Sequence, residues 1–166
     1  MSRTYDPSSY DDHFCVKPPA LLWLAVFYLS RAFVLLLASD LGRVSSFRPE
    51  AVAMLRGAIN PYTFLPSLIA IPVLYVLISR GPSSTKLVRW IWAHGRSILA
   101  VAAILDCAIA VVGSGLIGGD IAELAVGQLI AALFDIYFVV YILATPRVRD
   151  AFAAFPPPEP ARRRRR

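Results

Sequence analysis

SILAVAAILDCAIAVVGSG, residues 97–115, is an unbroken apolar run with one charged residue, Asp106, near its middle. At 1.5 Å per residue it reaches about 28 Å, close to the roughly 30 Å hydrocarbon core of a bilayer. A surface helix of a soluble domain shows a polar face opposite its apolar stripe, and this run has none. It reads as a transmembrane helix. A carboxylate in such a place is costly unless it is paired or serves a purpose.

Three more runs of this kind, 20–39, 62–79 and 121–144, flank it. The chain is 57% apolar and 17% charged with a mean hydropathy of +0.60, against about 45–50% apolar and about 25% charged for a soluble domain. The expected architecture is all-α and polytopic, with four transmembrane helices in residues 19–150. Residues 1–18 read as an N-terminal tail and 151–166 as a disordered, proline-rich and arginine-rich one. The first run is too long for a cleaved signal peptide, and its leader carries Asp6, Asp11 and Asp12 beside Lys17, so it reads as a retained helix. Cys15 lies in a tail and Cys107 in an apolar helix, which argues against a disulfide between them.

The net charge of +6 is placed unevenly. Of 17 basic residues, 13 fall in the first tail, the loop between the second and third runs, and the C-terminal tail. The positive-inside rule puts both termini and that middle loop in the cytoplasm. Trp23, Trp90 and Trp92 sit near the same side, as an interfacial aromatic belt requires. In the first outer loop, Val52, Leu55, Ala58 and Ile59 share one helical face, which suggests a short interfacial helix over 47–59.

Arg31 and Asp135 are the charges inside the first and fourth runs. Counted from the cytoplasmic ends, Arg31, Asp106 and Asp135 lie about 17, 14 and 14 Å deep at 1.5 Å per residue. They form one layer near the bilayer centre. Ala102, Asp106, Ala110 and Ser114 recur every four residues, as do Gly127, Ala131 and Asp135, and small residues at that spacing let helices approach closely in lipid. Two ionised aspartates with one arginine leave an excess negative charge, which a proton or a bound cation would offset. Pro72 should kink the second helix and free the carbonyl of Leu68 for Arg31. Two plainer readings stand beside this one. Arg31 snorkels along its own helix, or the three residues form a structural pin that fixes helix register.

Other signals are weaker. Gly113, Gly115 and Gly118 match the dinucleotide fingerprint letter for letter, but they end a membrane helix instead of following a strand, so they read as a turn. His13 and His94 have no partners at ligand spacing, which leaves metal binding and cofactors unsupported. No nucleophile elbow or zinc-protease helix occurs. Asp120 and Glu123 read as solvated charges at a helix N-terminus. The run Arg162, Arg163, Arg164, Arg165 and Arg166 suits anionic lipid headgroups, with a topology anchor as the plainer reading and no specific nucleic acid implied.

Several short motifs are similar to those of a known family. Val16-Lys17-Pro18-Pro19, Leu22-Trp23-Leu24 and Leu29-Ser30-Arg31 open the chain. Ile71-Pro72, Ser79-Arg80-Gly81-Pro82 and the stretch from Trp90 to Arg96 follow. Pro146-Arg147-Val148-Arg149-Asp150 then leads to Phe152, Phe155 and Pro156. Together they resemble the YfeZ-like family of bacterial inner-membrane proteins, a domain of unknown function. The resemblance implies a small polytopic inner-membrane protein and places Arg31 within a motif, but it supplies no activity.

The sequence therefore points to a structural or accessory component of a membrane complex, not an enzyme. Its partners would be the bilayer and a membrane protein or a second copy of itself, and no small-molecule substrate is indicated. The rivals are a small proton- or cation-coupled transporter subunit using Asp106 and Asp135, and a membrane-tethered binder of anionic lipid through the arginine tail.

Overall fold

The computed structural model describes residues 5–11, 14–44, 62, 64–114 and 126–157. These residues form α-helices joined by turns, preceded by a short 3-10 turn at Pro7–Ser9. The helices are α1 (Ala20–Leu29), α2 (Arg31–Val44), α3 (Phe64–Ser79), α4 (Lys86–Gly113), α5 (Val126–Ala144) and α6 (Pro146–Ala153). The interfacial helix expected over 47–59, the outer turn at 115–119 and the arginine run at 162–166 lie outside the described residues.

Helix α4 is the hub. Helices α3 and α5 pack along it, and α1 and α6 touch it near its start. Its buried face runs Val88, Trp92, Gly95, Leu99, Ala102, Asp106 and Ala110, alternating steps of three and four residues as one side of an α-helix must. Thr85 caps the start, its hydroxyl accepting from the Val88 amide at 3.4 Å. The helix has 28 residues and begins eleven positions before the apolar run of its sequence. The added turns carry Arg89, Trp90, Trp92, His94 and Arg96.

Those extra turns meet the two ends of the chain. Trp92 is not an interfacial belt residue: it is 1% exposed. Its indole N–H donates to the carbonyls of Ala151 at 3.1 Å and Ala154 at 3.0 Å. Its ring packs against Phe152 at a tilt of 43°, centroids 4.7 Å apart, and lies under the Arg80 guanidinium. A Cβ on Gly95 would come within 2.5 Å of the Phe152 ring, so glycine stands here despite costing a helix interior about 1 kcal/mol relative to alanine. Arg80 donates to the carbonyls of Val16 and Ala154 and lies 3.6 Å from Asp11. Arg89 donates to Pro156 and stacks on Phe155. Arg96 donates to the Ile142 and Leu143 carbonyls, capping the end of α5.

The N-terminal segment joins the same cluster. The Tyr5 hydroxyl donates to Asp150 at 2.7 Å, and Arg147 reaches the Ser9 hydroxyl. Residues 151–157, grouped by sequence with the tail, complete α6 and fold back so that Pro156 is buried. The first segment, the middle loop and the C-terminal segment thus gather at one end of the molecule.

Helices α4 and α5 are each long and apolar enough to cross a membrane. The first run is broken instead of straight: α1 and the start of α2 meet at 72°. Counted as one span, they make a third candidate, while α3, with 16 residues, is a shorter apolar helix. Mid-helix residues such as Leu68, Val101, Ile104, Leu133 and Val140 face outward. An exposed apolar girdle of this extent is compatible with a membrane protein.

Candidate functional site

The break at Ser30 organises the site. Ending α1 at Leu29 leaves carbonyls without their usual amide partners, a cost that grows where water is excluded. The Leu29 carbonyl accepts from the Ser67 hydroxyl of α3 at 2.8 Å. The Tyr28 carbonyl accepts from Arg31 at 3.2 Å. Helix α2 starts afresh, with the Phe33 and Val34 amides donating to the Ser30 carbonyl. The break is therefore held by side chains from two elements.

Arg31 is the first residue of α2, and the bend turns its guanidinium toward α4. Its two terminal nitrogens donate to the two carboxylate oxygens of Asp106, at 2.5 and 3.1 Å. The same guanidinium lies 4.4 Å from the centroid of the Tyr28 ring. This is fork-on-fork pairing, which fixes orientation as well as neutralising charge. Arg31 does not snorkel: it is held from below by Tyr28 and in front by Asp106. The Tyr28 hydroxyl in turn donates to Ala131 of α5 at 3.3 Å, and the Cys107 thiol points to the Ala132 carbonyl at 3.8 Å.

Asp135 completes the group differently. It is fully buried on α5, on the face shared with Ala132, Phe138 and Ile142. Arg31, Asp106, Tyr28 and Cys107 all lie within its electrostatic reach. Yet neither of its carboxylate oxygens has a hydrogen-bond partner among the described residues. The two carboxyl groups thus sit in unlike surroundings: Asp106 is clamped by a cation, while Asp135 accepts no hydrogen bond from the described residues and has the Asp106 carboxyl within side-chain hydrogen-bonding reach.

Other sequence expectations land elsewhere. Pro72 lies inside α3, which continues across it; the sharp bend falls at Ser30. Leu68 does not receive Arg31, whose hydrogen bonds go to the Tyr28 carbonyl and Asp106. On α4, Ala102, Asp106, Ala110 and Ser114 are all buried. On α5 the buried stripe is rotated: Gly127 is exposed and Ala131 only half-buried, so Ala132 lies against the neighbour instead. Tyr28, Ser67 and Cys107 were not singled out by sequence. A lone hydroxyl in an apolar helix needs an acceptor, and that was the available signal for Ser67. Among the described residues, no three His, Cys, Asp or Glu side chains come together as a metal site would require.

The model of a family described as "protein of unknown function (DUF2919)" matches residues 5–154. The chain belongs to the DUF2919 family. That match takes in the whole Arg31, Asp106 and Asp135 group and the cluster around Trp92, and stops short of the arginine run at 162–166. No curated protein and no solved structure matches this DUF2919 member.

Proposed function

We propose that this chain is a four-pass protein of a bacterial inner membrane, as its YfeZ-like motifs suggest, acting as a structural or accessory component of a membrane complex and not as an enzyme. The observation that carries the reading is the bidentate Arg31–Asp106 pair enclosed by helices whose outward faces are apolar. In this reading the first pass is made of α1 and α2 and bends at mid-depth. Helix α3 forms a short second pass, and α4 and α5 form the third and fourth. The clustered end, which holds both terminal segments and the loop from Arg80 to Thr85, faces the cytoplasm because it carries most of the basic residues.

Within the layer, Arg31 bonds to Asp106 and to the Tyr28 carbonyl, and the Tyr28 hydroxyl bonds to the Ala131 carbonyl. These bonds act first as a clasp that sets the relative position of α1, α2, α4 and α5. A scaffold held this way suits a subunit that assembles with another membrane protein or a second copy. The arginine run at 162–166 would add contact with anionic headgroups at the same side, at about 1 kcal/mol per residue.

Cysteine labelling in intact cells tests the threading. In a background with Cys15→Ser and Cys107→Ala, Ser83→Cys should react with a membrane-impermeant maleimide only after permeabilisation. Ser45→Cys should react without it. The reverse pattern would overturn the orientation. For the accessory role, cross-linking in native membranes should shift the chain to a species well above its 18.2 kDa; migration at monomer size would remove that role.

A further inference from the structure

From the unequal surroundings of the two aspartates, we infer that Asp135 is a proton-binding site: a neutral carboxylic acid at rest, beside the hydrogen-bonded Arg31–Asp106 pair. The inference rests on the membrane reading above and deepens it.

The geometry sets the charge balance. Arg31 supplies one positive charge, and Asp106 takes both of its forward-facing nitrogens. Among the described residues, the titratable or charged groups facing Asp135 come from three helices. Helix α4 offers Asp106 and Cys107, α2 offers Arg31, and α1 offers Tyr28. The one cation in that set is already spent. An ionised Asp135 would be a second negative charge, buried, with no donor on either oxygen and a like charge alongside. Such a group is stable in an apolar interior only when neutralised. A carboxylic acid needs no cage of ligands to do this, whereas a metal cation needs several oxygens. The proton is thus the ligand that the site suits.

Neutral Asp135 is also the reserve partner of Arg31. If Asp106 loses its charge, the guanidinium has one other carboxyl within reach. Asp135 then releases its proton to solvent and pairs with Arg31.

Infrared spectroscopy of the full chain in liposomes at neutral pH reads the state directly. The wild type should show a carboxylic-acid C=O band that shifts when aspartate is carboxyl-labelled with 13C. That band should be lost in Asp135→Asn and also in Asp106→Asn, where Arg31 turns to the remaining acid. A wild type without a label-sensitive band would overturn the proposal. So would a band that survives Asp135→Asn, or one that disappears when sodium replaces potassium, which would make the ligand a metal cation. The labelled wild type decides the matter even if a variant misfolds. An absent band in liposome-bound, helical protein defeats only the proton site; release of the protein by carbonate washing would defeat the membrane reading instead.

Discussion

Arg31→Leu should destabilise the folded chain in detergent by about 3–5 kcal/mol, the usual cost of removing one member of a buried ion pair. The loss comes less from the missing attraction than from what stays behind. Asp106 is 1% exposed and would be left buried without its guanidinium donors, next to Asp135. The Tyr28 carbonyl would lose its guanidinium donor as well. Replacing both partners with Arg31→Leu and Asp106→Leu should restore most of the stability, since similar-sized apolar residues often match or exceed a buried pair. Asp106→Leu alone should cost less than Arg31→Leu, because Arg31 retains a second acid within reach. Unfolding by graded denaturant addition to micelles measures all three. A snorkelling arginine predicts a small effect of Arg31→Leu and no recovery in the double variant.

Trp92→Ala should rank with it, at about 3–5 kcal/mol, the range for deleting a large aromatic from a packed core. Three losses combine at this position. The ring leaves a cavity between α4 and α6. The Phe152 ring and the Arg80 guanidinium lose the surface they lie against. The carbonyls of Ala151 and Ala154 lose their shared donor. Trp92→Phe keeps most of the packing and should cost distinctly less, its residual cost reporting the lost N–H and the smaller ring. Thermal unfolding followed by circular dichroism separates the two variants. If Trp92 were an interfacial belt residue, both would be nearly silent.

The sequence makes the helices legible because a continuous apolar run of this length has few other stable forms. It also places Arg31, Asp106 and Asp135 at a common level, by counting residues at a fixed rise. What it hides depends on partners far along the chain. The residues on either side of Ser30 include neither glycine nor proline, so no helix breaker announces the break. The break is stable because Ser67, on another helix, and Arg31 take up the freed carbonyls. Pro72 draws attention as the evident helix breaker, yet α3 absorbs it. Trp92 looks interfacial for a similar reason. Only when α6 folds back does the indole acquire a ceiling, and the short motif around Val148 and Phe152 gives no sign of that fold-back when read as a tail. The contrast between Asp135 and Asp106 is visible only once Asp106 is seen to hold both terminal nitrogens of Arg31.

The central claim is that a bend at Ser30 turns Arg31 inward onto Asp106. Solid-state NMR of the chain in lipid, with 15N-labelled arginine and 13C-carboxyl-labelled aspartate, tests it most directly. A strong dipolar coupling between a guanidinium nitrogen and an aspartate carboxyl carbon should appear in the wild type, persist in Asp135→Asn and disappear in Arg31→Leu. No such coupling, or one that survives Arg31→Leu, would contradict the account.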